Sequence, residues 1–162
     1  MREIQESGMR FVVDENRTFF MEESAFVGQL AGMSKCEFVT MYANGELSSV
    51  EAKTSFSNPD NASGFEQNIS DIVRKFMDSL QIVNAVALRH EDILPKPMRA
   101  EKLDAVNYKF YLVIKNHQSD WLQPVSDILK SRLKTFFRLW NIPDTSIKVL
   151  NEPLARRKGL IS

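Results

Sequence analysis

Cys36-Glu37-Phe38-Val39-Thr40-Met41-Tyr42-Ala43-Asn44-Gly45-Glu46-Leu47-Ser48-Ser49-Val50-Glu51-Ala52-Lys53-Thr54-Ser55 is the stretch on which the reading of this chain turns. Two strand-like runs flank Asn44-Gly45, a pair that accepts the positive φ a hairpin turn demands. Side chains alternate along a strand, so Glu51 and Lys53 share a face, roughly 7 Å apart along it. They form either a neutralising ion pair or half of a metal site. The turn decides what joins them. A two-residue loop at Asn44-Gly45 pairs Tyr42 with Leu47 and Phe38 with Glu51. A type I turn with Gly45 in a G1 bulge pairs Tyr42 with Glu46 and Glu37 with Glu51. In the second register Glu37, Glu51 and Lys53 converge, and two carboxylates so placed repel unless something positive lies between them.

Around the hairpin the chain reads as one domain over residues 1–162, with a core at 22–115. An N-terminal hairpin is expected over 9–21, from strands Met9 to Val13 and Thr18 to Met21, and a helix–strand extension over 119–158. Glu22 to Leu30 suits a short helix. Ser63-Gly64-Phe65-Glu66 has the form of a capping box. Phe65, Ile69, Ile72, Phe76, Leu80, Val83 and Ala87 then recur at spacings of three and four, the stripe of a helix of about 25 residues. His90 to Asn107, with Pro95 and Pro97, reads as a flexible loop or a functional one. Tyr108 to Lys115 is a buried strand, Ser119 opens a second long helix, and Ser146 to Leu150 is a last strand. Alternating strands and long helices predict a mixed α/β sheet covered by helices.

Composition narrows the function. Of 162 residues, 43% are hydrophobic and 26% charged, and 21 Lys and Arg balance 21 Asp and Glu. No net field steers the protein to a polyanion or a membrane, so binding of nucleic acid requires a local patch. One cysteine, Cys36, excludes an intrachain disulfide and a cysteine zinc cage. The absence of a signal-like start and of a long apolar run predicts a soluble cytoplasmic protein with no membrane partner. No glycine-rich strand–helix loop supports a phosphate cradle.

Glu37, followed by Val50-Glu51-Ala52-Lys53 on a hairpin and then a long helix, resembles the PD-(D/E)XK nuclease superfamily. The resemblance covers about half the chain and implies a restriction-endonuclease-like α-β-β-β-α-β core. It implies that Glu37 and Glu51, with the Ala52 backbone carbonyl, bind Mg²⁺ or Mn²⁺. Lys53 would then orient or help deprotonate the attacking water in phosphodiester hydrolysis. Glu22 or Glu23 matches an acidic residue that members carry on the first helix. Gln67, Arg74 or Lys75 matches a polar residue from the helix after the motif. Two features depart from the pattern: Glu37 follows Cys36 where members have Asp, commonly after Pro, and the chain is neutral. Phosphate contacts then fall to Lys96, Arg99 and Lys102, or to Arg156, Arg157 and Lys158.

Two readings of another class stand beside this one. The fold without catalysis would serve as a protein-interaction module. The wide apolar face from Trp121 to Trp140 would serve a structural oligomer such as a homodimer. A compact nuclease of this kind is also expected to act in a complex or as a dimer.

Overall fold

Gly45 decides the register. In the computed structural model, which describes residues 1–162, its φ is +80°. Its amide donates to the Tyr42 carbonyl (3.1 Å), and the Tyr42 amide donates to Glu46 (2.8 Å). This is the bulged turn. It sets Met41 opposite Leu47 and Phe38 opposite Val50.

The elements run in the order β1 (Arg2–Glu6), β2 (Met9–Val13), β3 (Thr18–Phe19), α1 (Ala25–Gly28), β4 (Phe38–Met41), β5 (Glu46–Lys53), α2 (Ala62–Arg89), α3 (Ala100–Leu103), β6 (Asn107–Ile114), α4 (Ser119–Leu139), β7 (Ile147–Asn151) and α5 (Glu152–Arg157). The main sheet has the order β3-β4-β5-β6-β7. Its first three strands form an antiparallel meander, and β6 and β7 join in parallel. Parallel neighbours need long crossovers, which α2 and α4 supply. The fold is therefore mixed α/β, as expected, with the short helix α1 set between the first and second strands of the meander.

The core divides by sheet face. On one side Phe110, Leu112 and Ile114 pack against Ile72 and Phe76 of α2 and Val125, Leu129 and Leu133 of α4. On the other, Val50, Ala52, Tyr111 and Val113 meet Phe11, Ala155 and Ile161. The α4 apolar face is consumed here, with Leu122, Phe136 and Phe137 buried and Trp121 and Trp140 half-buried.

Three expectations are corrected. The N-terminal hairpin spans 2–13, not 9–21: β2 pairs with β1, while Thr18 and Phe19 pair with Thr40 and Val39 of the main sheet. In β1 only Ile4 is an aliphatic residue amid Arg2, Glu3, Gln5 and Glu6, so the alternation that marks a strand is weak. Helix α2 is capped two residues before Ser63, by Asn61, whose side chain accepts from the Gly64 amide (3.3 Å). Glu66 instead receives the Arg132 guanidinium at 2.7 Å. Residues 90–107 form short helical turns that bury Leu94, Met98 and Leu103 in a cluster with Met41, Leu47 and Val86. That anchoring makes them part of the core, not a loose loop.

Candidate functional site

Strand β4 stops short of β5, and the site lies where it stops. In regular pairing the Cys36 amide would bond the Ala52 carbonyl, two residues beyond the Phe38–Val50 pair. Instead the Glu37 amide reaches back to Val50 (3.0 Å), and the Cys36 amide donates to the Ser79 hydroxyl of α2 (2.8 Å). The chain kinks at Glu37 and leaves residues 51–53 without a β4 neighbour. The Ala52 carbonyl is taken by the Ser7 hydroxyl (3.0 Å) from the turn of the N-terminal hairpin. That turn is pinned twice more, by Thr54 Oγ1 to the Ser7 carbonyl (3.3 Å) and by Lys115 Nζ to Gly8 (2.9 Å).

Glu51 points to the α2 side and is 0% exposed. Its Oε1 receives two ammonium groups, Lys75 at 2.6 Å and Lys53 at 3.1 Å. These lysines are 25% and 32% exposed, so the cluster opens to solvent through them. The other oxygen, Oε2, is buried with no hydrogen-bond partner. An unpaired oxygen on a buried carboxylate is costly and calls for an explanation.

The electrostatics describe an acidic centre whose charge is penalised chiefly by burial. Glu37 is pushed up to about 7, by burial first, then by the charges of Glu51 and Glu6, with Lys75 opposing and Glu22 adding to the rise. Burial also pushes the Glu51 carboxyl up, while Lys75 and Lys53 pull it down. Burial works against the Lys75 ammonium as well, but Glu51 and Glu37 outweigh it and hold the proton on. The neighbouring Cys36 thiol is raised by burial and by Glu51, so it is an inert thiol, not a nucleophile.

Glu37, Glu51 and Lys53 therefore belong to one locality. Of the acids near the first helix, Glu22 acts on Glu37, whereas Glu23 is held by Arg2, whose Nη1 donates to it at 3.0 Å. Of the three polar candidates on α2, Lys75 enters the site. Gln67 bonds Asp71 on the exposed surface (2.9 Å), and Arg74 turns to the Gly32 carbonyl and Asp78. The basic groups lie elsewhere. Arg156, Arg157 and Lys158 ride on and just beyond α5, whose Ala155 packs on the opposite sheet face, and Arg156 is bound to Glu152 (2.7 Å). Lys96 and Lys102 sit near the Asn44-Gly45 turn, at the far end of β5, and Arg99 is half-buried with its Nε unpartnered.

No family model, curated protein or solved structure matches this chain. The chemistry of the site therefore rests on its own geometry. No three carboxylate, imidazole or thiol groups form a ready-made metal cage. A hard cation such as Mg²⁺ needs less, since it uses one or two carboxylates and completes its shell with water and phosphate oxygens. Glu51 and Glu37 are two such carboxylates, and Ala52 lies between Glu51 and Lys53 on β5. Glu6 and Ser7 escaped sequence reasoning, because they reach the site only through the β1–β2 pairing.

Proposed function

We propose that this protein is a divalent-metal-dependent phosphodiesterase acting on nucleic acid, with a PD-(D/E)XK-like site. The observation that carries the reading is the fully buried Glu51, with two lysines on one oxygen and nothing on the other. Glu37 and Glu51 would hold Mg²⁺ or Mn²⁺, with the Ala52 carbonyl beside them. Bound there, the cation supplies Lewis acidity to a phosphoryl oxygen and acidity to a water. Lys53, held against Glu51 at 3.1 Å, would donate from its ammonium to an attacking water or a phosphate oxygen. Lys75 holds the Glu51 carboxylate in one orientation, and its own charge favours an anionic transition state.

A second reading has its own observation. The Lys75 ammonium at 2.6 Å already neutralises Glu51, which is the arrangement of a nuclease-like fold kept as an interaction module. The test is incubation with single- and double-stranded DNA and RNA in Mg²⁺ or Mn²⁺, beside Lys53→Ala and Glu51→Gln. Metal-dependent cleavage lost in both variants supports the enzyme. Cleavage unchanged in both assigns it to a contaminant, and a fully folded protein that cleaves nothing favours the module.

A further inference from the structure

At the other end of the hairpin lies a pocket of about 480 Å³. Arg17, Lys96 and Lys102 line it beside Tyr42, Met41 and Val106, and no acidic residue does. None of these three cations has a carboxylate within salt-bridge reach. The Arg17 guanidinium is fixed by the carbonyls of Met41 (2.7 Å) and Tyr42 (3.3 Å), so its charge is positioned before any ligand arrives. Tyr42 is 36% exposed, one of the few large apolar side chains at the surface. Glu46, the acid beside the turn, is engaged by the hydroxyls of Ser48 (2.8 Å) and Tyr111 (3.1 Å) and does not line the pocket.

Three cations without carboxylate partners, lining one pocket with a partly exposed aromatic ring, are the chemistry of a stacked base with its phosphates. A duplex keeps its bases stacked on one another, so the ring selects a single strand. From Gly45 to Glu51 the strand advances roughly 20 Å, a few nucleotides of extended chain. We infer that this pocket is a subsite for a nucleotide of a single nucleic-acid strand, distant from the Glu51 centre and binding it independently of metal. The inference deepens the nuclease reading and rests on it for what the far part of the strand meets at Glu51.

The test is fluorescence anisotropy of labelled DNA and RNA single strands of about 12 nucleotides, in EDTA over a salt series, with a duplex for comparison. Arg17 is left intact because it holds the β4 edge. Lys96→Ala with Lys102→Ala should weaken binding at least tenfold and flatten the slope of log affinity against log salt by about 1.4. Tyr42→Ala should weaken it about 5- to 140-fold, while Tyr42→Phe retains it. Preference for duplex, no binding of either strand by the parent protein, or equal binding by the variants overturns the subsite. Cleavage is scored separately with Glu51→Gln. Metal-dependent cleavage with unaltered binding in the pocket variants sinks the subsite and leaves the nuclease. Pocket-dependent binding without cleavage in Mg²⁺ or Mn²⁺ sinks the nuclease and leaves the subsite.

Discussion

Glu51 carries conflicting demands. It is wholly buried, it holds two ammonium groups on one oxygen, and its second oxygen is orphaned. Removing Lys75 leaves that carboxylate with Lys53 alone. Lys75→Ala should lower the free energy of unfolding in EDTA by about 1–3 kcal/mol, read from urea denaturation. If the carboxylates take a cation, Mn²⁺ should restore most of that loss, because the competing ammonium is gone. No recovery with Mn²⁺ would count against a metal at Glu51. In the parent protein, metal at about 100 times its dissociation constant should add about 2.7 kcal/mol, an increment that Glu51→Gln should abolish. The Glu51–Lys53 pair was legible in the sequence because strand alternation alone puts the two side chains together. Lys75 was only one of three candidates, since helix periodicity does not say which flank of a buried stripe turns toward a partner strand. Glu6 was invisible, because its approach to Glu37 depends on a pairing that its own polar segment does not announce.

At the level of elements, the hairpin turn is the decisive joint. Gly45 sits at φ +80°, and a Cβ added there would meet nothing within 4 Å. The penalty of Gly45→Ala is therefore conformational alone, and a loss of about 1–2 kcal/mol in thermal or urea unfolding is expected. Both hairpin registers accept Asn44-Gly45, so the sequence left the choice open. The bulged register pairs Phe38 with Val50 and sets both in one apolar cluster with Ala52, where the tight loop would have set Phe38 opposite the Glu51 carboxylate. The long helix α2 was legible from its stripe, but its start was not. Asn61 and Ser63 are both competent caps, and Glu66 found Arg132 on α4, a partner that no local pattern reveals. Phe76 is fully buried against Phe110 (ring centroids 5.2 Å apart). Phe76→Ala should cost about 3–5 kcal/mol in equilibrium unfolding, enough to unfold a marginal domain.

For the molecule as a whole, stability should depend on pH through His117, at the carboxyl end of β6. It is 6% exposed, set between the rings of Phe56 and Trp121, and neither ring nitrogen makes a well-formed hydrogen bond. Burial lowers its affinity for a proton, the nearby Trp121 backbone pulling weakly the other way. The unfolded chain thus binds the proton more readily than the folded one. The contribution is fully present above the ordinary histidine value of about 6.5 and is lost as pH falls from there through the lower value of the folded state. Urea midpoints measured from pH 8 down to pH 5 should drop more steeply for the parent protein than for His117→Gln. Equal slopes would remove His117 from the account. The mixed α/β layering was legible from the order of strands and long helices. The N-terminal hairpin was misassigned because its true partner strand is polar, and β3 is too short to leave a pattern.

That short β3 has a bearing on how the protein behaves when concentrated. An outer strand presents unpaired backbone groups that invite another chain to add on, the first step toward fibrils. Whereas β7 at the opposite edge has five residues, the outer strand at this edge is two residues long. Where it ends, the Arg17 guanidinium sits on the Met41 and Tyr42 carbonyls that a newcomer would need. A charged side chain on those groups turns the margin of the sheet into a poor template. Self-association, where it occurs, should therefore not run through a sheet continued from the β3 edge of one molecule into the next.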